Sequence, residues 1–134
     1  MKKTVLFICT HNSSRSQMAE GLLKSLYGDR YEVYSAGIKP TKVNPYVVKA
    51  MGEIGIDISK QRSKSIEEFR GKNFDYVVTV CDHAKEMCPF FLGDEILHKS
   101  FEDPSVFKGN ENKILEDVIR VRDEIKHWIL KTFI

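Results

Sequence analysis

The sequence predicts an α/β fold built on a parallel sheet, and three observations carry that prediction. Short apolar runs of strand character alternate with amphipathic runs of helical period along the chain. The first apolar run, Val5 to Ile8, passes through a short polar loop straight into a helix signal. The 134 residues suit a single domain, 1–134, with a real hydrophobic core.

Each element has its own warrant. Residues 4–8 read as the first strand. Residues 16–27 read as a helix, with Met18, Ala19, Leu22, Leu23 and Leu26 on one face, Ser16 as its N-cap, and Gly28 with Asp29 ending it. Residues 31–36 alternate as a second strand that Gly37 stops. Asn44 and Pro45 open a second helix that ends near Glu53, with proline in its first turn. Residues 54–58 are apolar and irregular. Ser65, with Glu68 three residues on, has the capping-box pattern and starts a short helix. Residues 74–80 form a third strand leading into Cys81, and residues 82–94 a loop with a helical piece. Residues 95–100 make a weaker fourth strand, and 102–110 a loop rich in Asp, Pro and Gly. From Glu111 a long helix runs to the end, its core stripe formed by Ile114, Val118, Val121, Ile125, Trp128 and Ile129.

Composition narrows the function classes. Hydrophobic residues make up 42% and charged residues 30%, as in ordinary globular proteins. A net charge of +2 is too mild to argue for nucleic acid or a membrane surface as partner. No apolar run approaches the roughly 18–20 residues of a membrane span, and the apolar stretch before Cys9 is too short for a signal peptide. A cytoplasmic protein is expected. The cysteines are Cys9, Cys81 and Cys88, an odd number that argues against a disulfide framework.

Chemistry concentrates at Cys9. The loop Thr10, His11, Asn12, Ser13, Ser14, Arg15 and Ser16 leads into a helix N-terminus, an arrangement that presents backbone N–H groups to a tetrahedral oxyanion. Arg15 adds a planar grip on two oxygens. The same field favours a thiolate, which places a nucleophile beneath the anion. Cys81 follows the third predicted strand, so Cys9 and Cys81 share the carboxyl edge of the sheet, where open α/β sheets bind ligands. Cys88 lies seven residues beyond Cys81. In a rigid helix that is about 10 Å along the axis, whereas a disulfide needs Cα atoms within about 7 Å. A Cys81–Cys88 bond therefore requires the segment to bend. Pro89 and the polar residues between the thiols place it at the surface; two inert buried thiols are the alternative. Cys81, His83, Cys88 and His98 do not have the spacing of a structural zinc site, and no metal is expected. Asp103, in a turn-forming Asp-Pro pair, can protonate a leaving oxygen if its loop folds over the Cys9 crevice. Lys60, Arg62 and Lys64 form a basic cluster, either a solvated face or an attractor for the oxyanion.

These residues resemble the thioredoxin-coupled arsenate reductases of the low-molecular-weight phosphatase fold. The matching stretches run from Phe7 to Gly21, Val33 to Ile38, Asn44 to Pro45, Ala50 to Met51, Gly55 to Ser59, Val77 to Cys81, Cys88 to Pro89, Phe101 to Pro104 and Val121 to Ile125. The resemblance implies a three-layer sandwich, a four-stranded parallel sheet of order 2-1-3-4 flanked by helices, and a monomer. It implies that Cys9 attacks arsenate held by the loop amides and Arg15, with phosphate or sulfate as analogues, while Asp103 assists loss of a hydroxyl. A transient Cys9–Cys81 disulfide then releases arsenite, and Cys88 resolves it to Cys81–Cys88. Thioredoxin or an equivalent dithiol protein is the external reductant, and no bound cofactor is implied.

The chain also departs from that pattern. His11 stands where the family usually has glycine, at a point where a positive φ is expected. Ser14 replaces a loop cysteine common among relatives. Where some relatives bind potassium through counterparts of Asn12, Glu20 and Ser35 together with an aspartate, this chain has Lys64 in the aspartate's place; its ammonium is expected to stand in for the ion. Two other readings are a low-molecular-weight phosphotyrosine phosphatase working through Cys9, Arg15 and Asp103 alone, and a non-enzymatic arsenic or redox sensor.

Overall fold

Val5, Leu6, Phe7 and Ile8 are all fully buried, which explains why the first strand reads as an unbroken apolar run: it is central and covered on both faces. The computed structural model describes residues 2–87 and 93–133. The elements follow the expected order: β1 (Lys3–Cys9), α1 (Arg15–Tyr27), β2 (Tyr31–Gly37), α2 (Pro45–Gly52), β3 (Phe74–Thr79), α3 (Asp82–Met87), β4 (Gly93–His98) and α4 (Glu111–Thr132), with 3-10 turns at Ile66–Phe69 and Pro104–Val106. The strands form one parallel sheet of order β2-β1-β3-β4.

Two aromatic clusters cover the two faces. Phe133, just past α4, meets the rings of Phe7, Tyr31, Tyr76 and Trp128 edge-on. Phe69 meets Tyr34 and Phe74. Tyr31 and Tyr34 are three apart on one strand and so point to opposite faces. The sheet is therefore the middle layer of three. Val118, Val121, Ile125 and Ile129 of α4 are fully buried, and α4 packs on both α1 and α2. Arg122, buried beside them, donates from Nη1 to the Ala50 carbonyl at 2.8 Å, pinning α4 to α2.

Local signals differ from expectation in three places. The N-cap of α1 is Ser14, not Ser16; Ser16 lies inside the helix, where its hydroxyl serves the site. Ser65 does cap its turn, accepting from Glu67 N, but Glu68 does not close a capping box. Its carboxylate takes a bidentate pair with Arg62, at 2.6 and 2.9 Å, which is the stronger bond. β4 runs earlier than 95–100 because Gly93 pairs with Phe74 and His98 with Thr79. As an edge strand with Asp94, Glu95 and Ile96 exposed, it has no clean alternation to read.

Candidate active site

The loop between β1 and α1 is held by its carbonyls. Cys9 O accepts from Ile38 N, Thr10 O from Lys39 N, His11 O from Thr41 N and Ser13 O from Asn44 N. Asn12 O accepts from Gln17 Nε2 at 3.0 Å, and Ser63 Oγ also donates to His11 O at 2.7 Å. In a trans peptide the C=O and the following N–H point opposite ways. Carbonyls drawn outward toward residues 38–44 and 63 therefore turn the N–H groups of the loop inward, into one concave face.

Asn12 is the pivot. Its φ is +50°, the sole positive value at a described non-glycine residue. The expected positive φ at His11 therefore falls one residue later, on a side chain that tolerates it well. The Asn12 amide is saturated: Nδ2 donates to Ser16 Oγ and Ser35 Oγ, while Oδ1 accepts from Gln17 Nε2 and Lys64 N. Gln17, fully buried, also donates to Arg62 O, and its Oε1 accepts from Gln61 Nε2 at 2.7 Å. Gly37 passes directly beneath: a Cβ there would sit 2.7 Å from Asn12 N.

Cys9, His11, Ser13, Ser14, Arg15, Thr41, Asp103 and Ser105 line a cavity of about 170 Å³. Cys9 is buried, with Sγ 3.1 Å from Ser16 Oγ. That oxygen already accepts from Asn12, so the hydroxyl proton is free for the sulfur. Arg15 is buried; Nη1 donates to Phe101 O at 3.1 Å, and Nη2 lies 3.6 Å from Asp103 Oδ2. Its buried Nε has no hydrogen-bond partner among the described residues. Asp103 is half-buried and caps the turn at Pro104–Val106, its Oδ1 accepting from Ser105 N at 2.9 Å. The 102–110 loop thus folds over the crevice as required.

The second thiol is at the rim. β3 pairs with β1, so Cys81 follows the neighbouring strand onto the same edge. Its Sγ is 3.3 Å from Thr10 Oγ1 and accepts from Ala84 N at 3.4 Å. Cys88 lies outside the described residues. His98, considered above with zinc ligands, has both ring nitrogens engaged, by Thr79 Oγ1 and Asp82 Oδ1.

The basic cluster does not act as one. Lys60 is exposed, Arg62 is held by Glu68, and Lys64 turns inward. Lys64 Nζ donates to Arg62 O at 2.8 Å and lies 3.8 Å from Glu20 Oε1, which itself accepts from Ser35 Oγ. Burial holds the Lys64 ammonium below the usual lysine range despite the attraction of Glu20, with Arg62 and Lys24 pushing the same way as burial.

Sequence reasoning missed Gly37, Gln17, Gln61, Ser63, Thr41 and Ser105. Gln17 alone carried a local signal: a long polar side chain beside Met18 at the start of an apolar helix face.

The comparisons with known proteins agree with this geometry. Residues 4–128 match the family model described as low molecular weight phosphotyrosine protein phosphatase. The arsenate reductase of Halalkalibacterium halodurans is 49% identical over 98% of this chain and 95% of its own. A solved arsenate reductase in its phosphate-binding state superimposes with a TM-score of 0.84 at 34% identity, over 98% of this chain and 95% of that one. A thioredoxin-dependent arsenate reductase of Corynebacterium glutamicum gives a TM-score of 0.64 at 32% identity, covering 98% of this chain and 64% of the longer one. With a cysteine at the end of β1, an amide-lined loop and an arginine at the start of α1, the chain belongs to the low molecular weight phosphotyrosine protein phosphatase family, among relatives that are arsenate reductases.

Proposed function

We infer that this chain is an arsenate reductase that works through three thiols. The observation that carries the reading is Cys81 at the rim of the anion loop, its sulfur 3.3 Å from Thr10 Oγ1: simple phosphatase chemistry gives a second thiol there no task. The cavity supports it further. Among the described residues its lining holds no Phe, Tyr or Trp side chain to flank a phenyl phosphate, and its size of about 170 Å³ suits a tetrahedral oxyanion.

The inward N–H groups and Arg15, whose Nε is still available, hold the arsenate oxygens and stabilise charge as it develops. Cys9 Sγ attacks arsenic and an As–O bond breaks. The departing oxygen leaves as water with a proton from Asp103, giving a Cys9–S–As(V) adduct. The Cys81 thiolate then attacks Cys9 Sγ. The S–S bond forms, the S–As bond breaks, and its electron pair stays on arsenic, which leaves as arsenite in the +3 state. Cys88 displaces Cys9 from Cys81 by thiol–disulfide exchange. Thioredoxin or an equivalent dithiol protein returns the Cys81–Cys88 disulfide to thiols. The electrons thus come from protein sulfur, without a bound cofactor, in a monomer working in the reducing cytoplasm. Slow phosphate-ester hydrolysis is an expected side reaction of the same Cys9, Arg15 and Asp103.

The test is arsenate-dependent NADPH oxidation with thioredoxin and its reductase. C9S is expected to lose both reduction and phosphatase activity. C88S is expected to release a single arsenite per chain and then stop. Multiple turnover by C88S at the wild-type rate overturns the relay.

A further inference from the structure

The Cys81 segment carries a contact that the relay does not use. His98 ends β4 directly opposite Thr79, the last residue of β3. Its Nδ1 lies 2.7 Å from Thr79 Oγ1, and its Nε2 lies 3.0 Å from Asp82 Oδ1 at the start of α3. A carboxylate only accepts, so Nε2 carries the proton; Nδ1 then accepts from the threonine hydroxyl in the neutral ring. The ring therefore bridges the residues on either side of Val80 and Cys81. Backbone bonds hold the same stretch from the same side: Lys99 N donates to Thr79 O, and Phe101 N to Val80 O. Those bonds fix the end of β3. The link to Asp82 is different, because it reaches past Cys81 onto α3. That helix must bend away before Cys88 can meet Cys81.

We propose that His98 is a positioning residue for the second thiol, a clasp between Thr79 and Asp82 that keeps Cys81 at the loop rim while it attacks Cys9. The proposal rests on the reading of Cys81 as the relay's second sulfur. In that step the Cys81 thiolate joins Cys9 Sγ and arsenic keeps the electron pair of the broken S–As bond. His98 exchanges no electron and no proton with the reacting atoms; it sets where the attacking sulfur lies. The bond to Asp82 then opens as α3 turns Cys81 toward Cys88. Asp82 is mostly exposed, so water takes over its hydrogen bond at little cost.

The test compares wild type, H98A, D82A and D82N in single-turnover arsenite release without thioredoxin. A parallel measurement takes the rate of Cys9 alkylation by iodoacetamide, read on the Cys9 peptide by mass, with and without inorganic phosphate. D82A changes an exposed side chain and guards against misfolding of H98A. We expect H98A and D82A to slow arsenite release by about tenfold, as a misplaced reacting group does. Cys9 alkylation and its protection by phosphate are expected to stay at wild-type values, and D82N, which still offers an acceptor, to restore release. Wild-type release in both H98A and D82A overturns the proposal. So does a parallel loss of release and phosphate protection, the signature of a general structural role. If wild type itself releases no arsenite from arsenate, the arsenate reading fails instead, before the clasp is in question.

Discussion

At the scale of single residues, the site depends on close approach as much as on chemistry. Gly37 is the clearest case. It ends the second strand, yet its φ is not in the left-handed region; what it supplies is space for Asn12. Alanine there places a methyl 2.7 Å from Asn12 N and 2.8 Å from His11 C, against backbone that cannot swing aside. G37A is expected to cost about 1–3 kcal/mol of stability, read from the urea midpoint, and to weaken phosphate protection of Cys9; an unchanged midpoint with full protection contradicts this. Cys9, Arg15 and Asp103 were legible because the spacing of the first two, and the turn chemistry of the third, are local. Gln61 and Ser63 were not, because they act only once residues 61–64 fold back over 10–13, a contact that no periodicity announces.

At the scale of elements, the order of strands and helices could be read from alternating patterns, while their ends depended on partners. β4 shows the limit. None of its residues is buried, and its register is set by hydrogen bonds to β3, which leave no mark on side-chain pattern. α4 shows the opposite: of its predicted stripe Val118, Val121, Ile125 and Ile129 are fully buried, and Ile114 and Trp128 pack partly buried against the core. Its anchoring end lies beyond the stripe, in Phe133, which is 1% exposed and wedged among Phe7, Tyr31, Tyr76 and Trp128. F133A removes that wedge and is expected to destabilise the fold by about 3–5 kcal/mol, measured by equilibrium urea unfolding. A loss below about 1 kcal/mol, the size of a minor surface effect, means that α4 is held by its stripe alone.

At the scale of the whole molecule, charge ties α1, β2 and residues 62–64 together beneath the anion loop, and this gives a dependence on salt and pH. The Lys64 ammonium lies 3.8 Å from Glu20 Oε1, as the expectation that it stands in for a potassium ion requires. Raising KCl at constant ionic strength is therefore expected to leave arsenate reduction flat; a clear rise contradicts the substitution. Burial lowers the Lys64 value beneath its ordinary 10.5, so its charged form is disfavoured in the folded state. As pH climbs from the lowered value toward 10.5, the unfolded chain binds more protons than the folded one, and stability rises. Tyr34 opposes this. Its hydrogen bond to Glu32 pushes its value from 10.0 up to about 12, so the stability it adds is present below 10 and fades through 12. Comparing wild type with K64M in urea isolates the lysine: the stability difference is expected to move in favour of wild type as pH nears 10.5, and a constant difference refutes it.

The anion loop has one more consequence at this scale. Its donors are main-chain amides, so the identity of side chains 11 and 13 matters less than the direction of their peptides. Apart from Asn12 O, which Gln17 holds, that direction is imposed from residues 38–44 and 63, of which Thr41 alone borders the cavity among the described residues. The coding for oxyanion capture is thus displaced from the catalytic motif itself. A designer could rewrite the visible lip of the cup and keep its grip, or preserve the whole signature and abolish it by altering a distant splint.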